Sequence, residues 1–184
     1  LTMIEFGNVT RGLSEGKYLN LPLIYCDLDG VLVNLMKGAN ELILPLYPNV
    51  KDWTEVDKEE RWKIISGKKD FWKNLEFMPN GIRLWNFIKP YNPNILSAYS
   101  KRDINSKRDK LLWVTKNLGR LPRKNILIVL RKDKKRFAVS DGTPNILIDD
   151  YDKNINEWKN AGGIGILHKS IPNTIGELKK LGFK

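Results

Sequence analysis

Two apolar runs in this chain each end in a pair of carboxylates. Leu23-Ile24-Tyr25-Cys26 leads into Asp27-Leu28-Asp29-Gly30, and Asn145-Ile146-Leu147-Ile148 leads into Asp149-Asp150. A short apolar run closed by a turn residue reads as a buried strand, and Gly30 marks the turn after the first. Two acids held together at a strand end repel each other and lose solvation in a cleft. A bound cation offsets that cost, and Mg²⁺ favours carboxylate oxygens with water left in its shell. Acid clusters so far apart in sequence therefore predict one metal site, assembled by the fold.

The pattern between these runs predicts an α/β fold. Strands are expected at 22–27, 94–97, 125–130, 145–148 and 164–167, with helices at 79–88, 105–118, 153–161 and 175–181. Strands alternating with helices argue for a mainly parallel sheet flanked by helices, joined by right-handed crossings. In such sheets ligands bind beyond the carboxyl ends of the strands, where Asp27, Ser97 and Asp149 fall. One connection is too long for a simple crossover. Residues 33–75 have room for helices at 33–46 and 52–66, the latter with Thr54 as N-cap, and form the natural place for a small helical cap over the site. The expected organisation is an amino-terminal extension over 1–20, a core of 21–32 with 76–184, and the cap at 33–75.

The chain of 184 residues fits one domain, and 41% hydrophobic content suffices for a core. The single cysteine, Cys26, lies inside an apolar run and reads as a core residue; it excludes an internal disulfide and fits a reducing compartment. No apolar stretch approaches the roughly 20 residues of a membrane helix, and no signal pattern opens the chain, so a cytoplasmic protein is the default expectation. The net charge of +11 is confined to one segment: Lys101 to Arg136 carries fourteen Lys and Arg against three Asp, and the remainder sums to zero. Such a local excess attracts phosphates and anionic partners, or forms a solvated helix face and a basic loop.

Rival readings of Asp27-Leu28-Asp29-Gly30 fit poorly. An EF-hand calcium loop with Gly30 sixth would place Tyr25 first and Met36 twelfth, and neither supplies the required oxygen ligands. Gly67-Lys68-Lys69 lacks the earlier glycine and following Ser or Thr of a phosphate loop. A surface turn with two acids is the plain alternative for the motif alone.

The motif has companions. Asp27-Leu28-Asp29-Gly30-Val31, Ile95-Leu96-Ser97-Ala98, the Lys132-Asp133-Lys134-Lys135 region and Ile146-Leu147-Ile148-Asp149-Asp150 follow in order over about residues 22–170. Together they resemble the haloacid dehalogenase superfamily of phosphohydrolases. Gly30-Val31-Leu32, Phe71-Trp72 before Met78-Pro79, and Ile148-Asp149-Asp150 followed by Asn154 and Trp158 make the chain look most like the 5'(3')-deoxyribonucleotidase group.

The resemblance implies a Rossmann-like core with a defined chemistry. Asp27 would attack phosphorus to form an aspartyl-phosphate. Asp29 would protonate the leaving oxygen and then activate water. Asp27, the backbone carbonyl of Asp29 and Asp149 would hold Mg²⁺, with Asp150 beside it. Ser97 and nearby backbone N–H groups, including that of Ala98, would bind phosphate oxygens. A lysine would pair with the phosphate and the nucleophile; Lys134 is favoured, with Lys132 and Lys135 in competition. Where the nucleotidases often carry Asp-Phe after the first motif, this chain has Asn34-Leu35.

These readings imply an Mg²⁺-dependent phosphomonoesterase acting on nucleoside monophosphates, with deoxyribonucleotides favoured. Two rivals use the basic 101–136 segment: a polynucleotide end-processing phosphatase, and a non-catalytic nucleic-acid-binding module on the same scaffold. In the cap, Trp53, Trp62, Phe71 and Trp72 suit a small apolar core first and a base-stacking platform second, with Phe71 and Trp72 the better substrate contacts. His168 reads as a surface or capping residue. The 105–118 helix is expected to bury Leu111, Leu112, Val114 and Leu118 and to turn Lys107, Arg108, Lys110 and Lys116 outward.

Overall fold

The computed structural model describes residues 21–184; the expected extension at 1–20 lies outside them. In chain order the elements are β1 (Ile24–Cys26), α1 (Leu35–Ile43), α2 (Lys58–Gly67), α3 (Gly81–Ile88), β2 (Asn94–Ala98), α4 (Ser106–Asn117), β3 (Ile126–Val129), β4 (Val139–Ser140), β5 (Thr143–Pro144), β6 (Ile146–Asp149), α5 (Asp152–Asn160), β7 (Ile164–Leu167) and α6 (Ile171–Lys180). Short 3₁₀ turns interrupt the connections, among them Trp53–Glu55, Trp72–Asn74 and Arg131–Phe137.

Five strands form one parallel sheet in the order β3-β2-β1-β6-β7. The chain builds outward from β1 through β2 to β3, then restarts on the other side of β1 with β6 and β7. The strand order therefore reverses between β1 and β6, and a cleft opens beyond their carboxyl ends. Cys26 pairs in register with Ile148, and the Asp27 N–H donates to the Ile148 carbonyl at 2.9 Å. That register sets Asp27 beside Asp149.

The strands are apolar on both faces because helices cover both. Ile24, Cys26, Ile95, Ile146 and Ile148 join the larger core cluster with residues of α3, α4 and α6. Tyr25, Leu96 and Leu147 face the other way, onto Ile155 and Trp158 of α5. Trp158 is fully buried, and its indole N–H donates to the Asn145 carbonyl at 3.0 Å. Gly163 must be glycine here, since a Cβ at that position would run into the Trp158 ring. No helix among the described residues is long and apolar enough to cross a membrane.

Several local expectations are corrected. The 52–66 stretch is not one helix capped by Thr54: Asp52 accepts the Thr54 N–H at 2.7 Å to start the 3₁₀ turn, and Asp57 accepts the Glu59 and Glu60 N–H groups to start α2. Helix α6 begins at Ile171, a turn earlier than expected, because Ser170 caps it and Pro172 fits a first turn. The β4–β5 hairpin went unread, although its Asp141-Gly142 turn, with both residues at positive φ, is a hairpin signal. His168 is buried rather than on the surface, its Nδ1 2.7 Å from the Thr174 hydroxyl.

Helix α4 faces differently from its expected orientation. Leu112 is 42% exposed and Lys110 is buried. A helix advances 100° per residue, so the large side chain of Trp113, with Val114, sets which face turns inward. Ser106, Lys110, Trp113 and Asn117 share that face at the i, i+4, i+7, i+11 spacing, and Leu112 falls outside it.

Candidate active site

Three carboxylates meet at the switch between β1 and β6. Asp27, Asp149 and Asp150 each offer an oxygen within 4.8 Å of the others'. Asp27 and Asp149 are buried, whereas Asp150 faces outward. Asp27 Oδ1 accepts the Leu28 N–H at 2.8 Å. Asp149 Oδ1 accepts the Tyr151 N–H at 2.9 Å, and its Oδ2 accepts the Asn154 side-chain amide at 2.9 Å. Gly30, at φ 77°, crosses directly over this cluster: a Cβ there would collide with the Asp150 carboxylate.

Lys134 bridges the two buried acids. Its Nζ stands 2.9 Å from Asp27 Oδ2 and 2.8 Å from Asp149 Oδ2. Burial works against the ammonium, but the two carboxylates outweigh it and hold its pKa at about 12. Of the three lysines weighed from sequence, Lys134 is the buried one that reaches the acids; Lys132 is exposed at the cleft wall and Lys135 is exposed outside it. Burial, then the charge of Asp27, raises the Asp149 carboxyl to about 6. Partial enclosure, then Asp27 and Asp149, raises Asp150 to about 7. The cluster is therefore short of positive charge even with Lys134 in it.

The second carboxylate of the first motif has a different partner. Asp29 forms an ion pair with Lys110, whose Nζ also donates to the Ala98 carbonyl at 2.7 Å and lies 3.4 Å from the Ser97 hydroxyl. Burial raises the Asp29 carboxyl above its ordinary value, and Lys110 pulls it partly back. Lys110 also sits 4.7 Å from the centre of the Trp72 ring, a cation–π contact. Trp72 is fixed in turn by its indole N–H, which donates to Asp103 Oδ2 at 2.6 Å. Neither Lys110 nor Asp103 was among the candidates from sequence. Their signal was the inward spacing of α4 and a buried acid just ahead of it.

The cluster lies at the floor of a cleft of about 1040 Å³. Asp27, Asp29, Ala98 and Lys134 line it, while Ser97, one residue earlier on β2, is fully buried. Trp53, Trp62 and Trp72 form one wall. Trp62 stacks on Trp72 at 6.1 Å and meets Trp53 edge-on at 6.4 Å. These rings pack on one another and face the cleft as well. Phe71 is not brought to the cleft; it packs edge-on against Trp72 and lines a separate hollow beside Gly38 and Leu75.

The donor set at the acid cluster is carboxylate oxygen throughout, which fits a hard cation such as Mg²⁺ rather than a metal that seeks nitrogen or sulfur.

The fold is that of haloacid dehalogenase-type hydrolases. A hydrolase from Streptococcus pneumoniae TIGR4 superposes with a TM-score of 0.52 at 13% identity, over 86% of this chain and 98% of that one. The L-2-haloacid dehalogenase of Xanthobacter autotrophicus superposes with a TM-score of 0.52 at 12% identity, over 89% and 84%. In sequence the chain is similar to a Vibrio phage KVP40 protein named "Putative 5'(3')-deoxyribonucleotidase", 26% identical over 138 residues, which are 73% of this chain and 75% of the relative. The resemblance carried by the four motifs is thus met in both sequence and fold. No protein-family model matches the chain.

Proposed function

We propose that this protein is an Mg²⁺-dependent phosphomonoesterase that hydrolyses nucleoside monophosphates, deoxyribonucleotides among them, through a phosphorylated Asp27. The observation that carries the reading is the placement of Asp27. Its carboxylate sits against Lys134, in a cluster with Asp149 and Asp150, at the floor of an open cleft. The phage relative's name supports the nucleotide class.

Asp27 is the nucleophile. Its oxygen forms a bond to phosphorus as the bond from phosphorus to the ester oxygen breaks. The Leu28 N–H and Lys134 hold the Asp27 carboxylate in place. Asp29 gives a proton to the departing oxygen, then takes one from the water that attacks the phosphoryl group and frees Asp27. Its raised pKa suits a group that must hold and release a proton. Lys134 and Lys110 pair with the phosphate oxygens and with the acids that bracket them. Asp27, the Asp29 carbonyl and Asp149 would hold Mg²⁺, with Asp150 beside them. The ion supplies positive charge that lets an anion approach an anion.

In this reading residues 33–75 act as a cap, with 21–32 and 76–184 as the core. The cap contributes Trp53, Trp62 and Trp72 to the cleft; Trp53 and Trp72 are buried, with Arg61 and Lys110 over their rings, which leaves the partly exposed Trp62 as the indole a nucleobase can reach. The test is phosphate release from a panel of nucleotides and sugar phosphates, with Mg²⁺ or with chelator. Nucleotide turnover that needs Mg²⁺ and vanishes in a folded Asp27→Asn variant is expected. Wild-type activity in that variant overturns the assignment.

A further inference from the structure

The cleft carries more positive charge than one phosphate monoester needs. Lys110 and Lys134, at its floor, are already matched with Asp29, Asp27 and Asp149. Also lining it are Lys58 and Arg61 of α2, Lys101 and Arg102 after β2, and Arg131 and Lys132 after β3. Arg102 pairs with Glu59, and Arg131 with Glu157. Lys58, Lys101 and Lys132 are exposed and have no carboxylate partner among the described residues. They come from three separate elements, so no single solvated helix face accounts for them.

A further feature points the same way. Aromatic surface is also found away from the tryptophan wall: Tyr99 and Tyr151 line the cleft, and Tyr151 is 52% exposed. A groove that presents unpaired cations together with an exposed aromatic ring suits single-stranded nucleic acid, held through phosphates and stacked bases.

We infer that the preferred substrate is a terminal phosphate on a single-stranded oligonucleotide, with Lys58, Lys101 and Lys132 gripping phosphates of the neighbouring nucleotides. The inference rests on the phosphatase reading above and names its substrate class. The chemistry at Asp27 is unchanged: the terminal ester bond breaks, and the strand leaves with a free hydroxyl. What the strand adds is binding energy from groups remote from the reacting phosphorus.

The test compares kcat/KM for 3'- and 5'-phosphorylated oligothymidylates of four nucleotides with that for the matching thymidine monophosphates, across a salt series. At least a tenfold preference for one phosphorylated oligonucleotide at low salt is expected. With about three phosphates engaged, that preference should fall by roughly tenfold or more between about 50 and about 200 mM salt. A Lys58→Ala/Lys101→Ala variant, altered only at exposed positions, should lose most of the oligonucleotide advantage and keep thymidine monophosphate turnover within about twofold. Equal kcat/KM on both substrates, insensitive to salt, overturns the inference while leaving the phosphatase reading intact. A preference unchanged in the double variant overturns the assignment to these lysines. Phosphate release from no substrate overturns the phosphatase reading and this inference together.

Discussion

Lys110 and Asp29, 81 positions apart in the chain, share an ion pair in which the lysine side chain is 4% exposed and the carboxylate 24%. The pair ties α4 to the loop after β1. Lys110 is also bonded to the Ala98 carbonyl and covered by the Trp72 ring. A lysine is rarely buried without such a set of partners. Its position beside the proposed proton carrier makes it the residue most worth altering.

Lys110→Met should leave Asp29 enclosed without its cation. Burial already raises the Asp29 carboxyl and Lys110 opposes that rise, so the variant's Asp29 should titrate higher. At neutral pH the expected result is a drop in kcat of about 10²–10³, the range for losing a group that pairs with charge on the reacting phosphate. The fall of activity on the alkaline side, where Asp29 loses the proton it must donate, should move to higher pH. Steady-state rates across pH check this; an unchanged profile would disconnect Lys110 from Asp29.

Asp150→Asn should separate stability from metal use. The Asp150 carboxyl is raised to about 7 by its enclosure and by Asp27 and Asp149, so its charge strains the metal-free protein. Removing the charge should raise the melting temperature in chelator. The same change should increase the Mg²⁺ concentration needed for half-maximal activity by roughly 10–100-fold, as loss of a supporting group at a metal site typically does. Thermal melts and Mg²⁺ titrations of activity read the two effects.

Stability should depend on pH in a way that Mg²⁺ removes. Asp149 at about 6 and Asp150 at about 7 lie above an ordinary aspartate in the unfolded chain. The folded state then holds more protons than the unfolded state between about pH 4 and 7. Metal-free protein should lose stability as pH rises through that window and level off above it. Lys134, held at about 12, contributes in the opposite sense: its stabilisation is complete below about 10.5 and is lost as pH approaches 12. Melting curves in chelator and in Mg²⁺ should diverge progressively from pH 4 to pH 7.

Gly30→Ala should be costly out of proportion to one methyl group. Gly30 holds a φ of 77°, and a Cβ there meets the Asp150 carboxylate. The backbone strain alone costs about 1–3 kcal/mol, and the displaced carboxylate adds to it. Chemical denaturation should show that loss, with activity reduced beyond what partial unfolding explains.

The acids were legible in the sequence because their signal is local. A run of apolar residues ending in carboxylates places those carboxylates at a strand tip, and the alternation of strands and helices makes the tips share one edge. The order of strands was not legible, and with it the fact that β1 and β6 are neighbours. That adjacency depends on long-range pairing, which no short window records. Lys110 was misread for a related reason. The face of α4 that turns inward is set by Trp113 and Val114, both buried, which leaves Leu112 exposed and brings Lys110 inside. Asp52 and Asp57 rather than Thr54 cap their turns because each has a free backbone N–H two residues ahead. The motif match favours Lys134 over Lys132 and Lys135, and its burial sets it apart in the fold.

The register of β1 against β6 divides the molecule's evolutionary liabilities unevenly. Asp27 follows the central strand and Asp149 ends its neighbour, so drift there threatens folding and catalysis at once. Trp53, Arg61 and Trp62 belong to the long connection between β1 and α3, outside the sheet. Selection can rework what this protein accepts by editing that connection, while the reacting groups stay where they are.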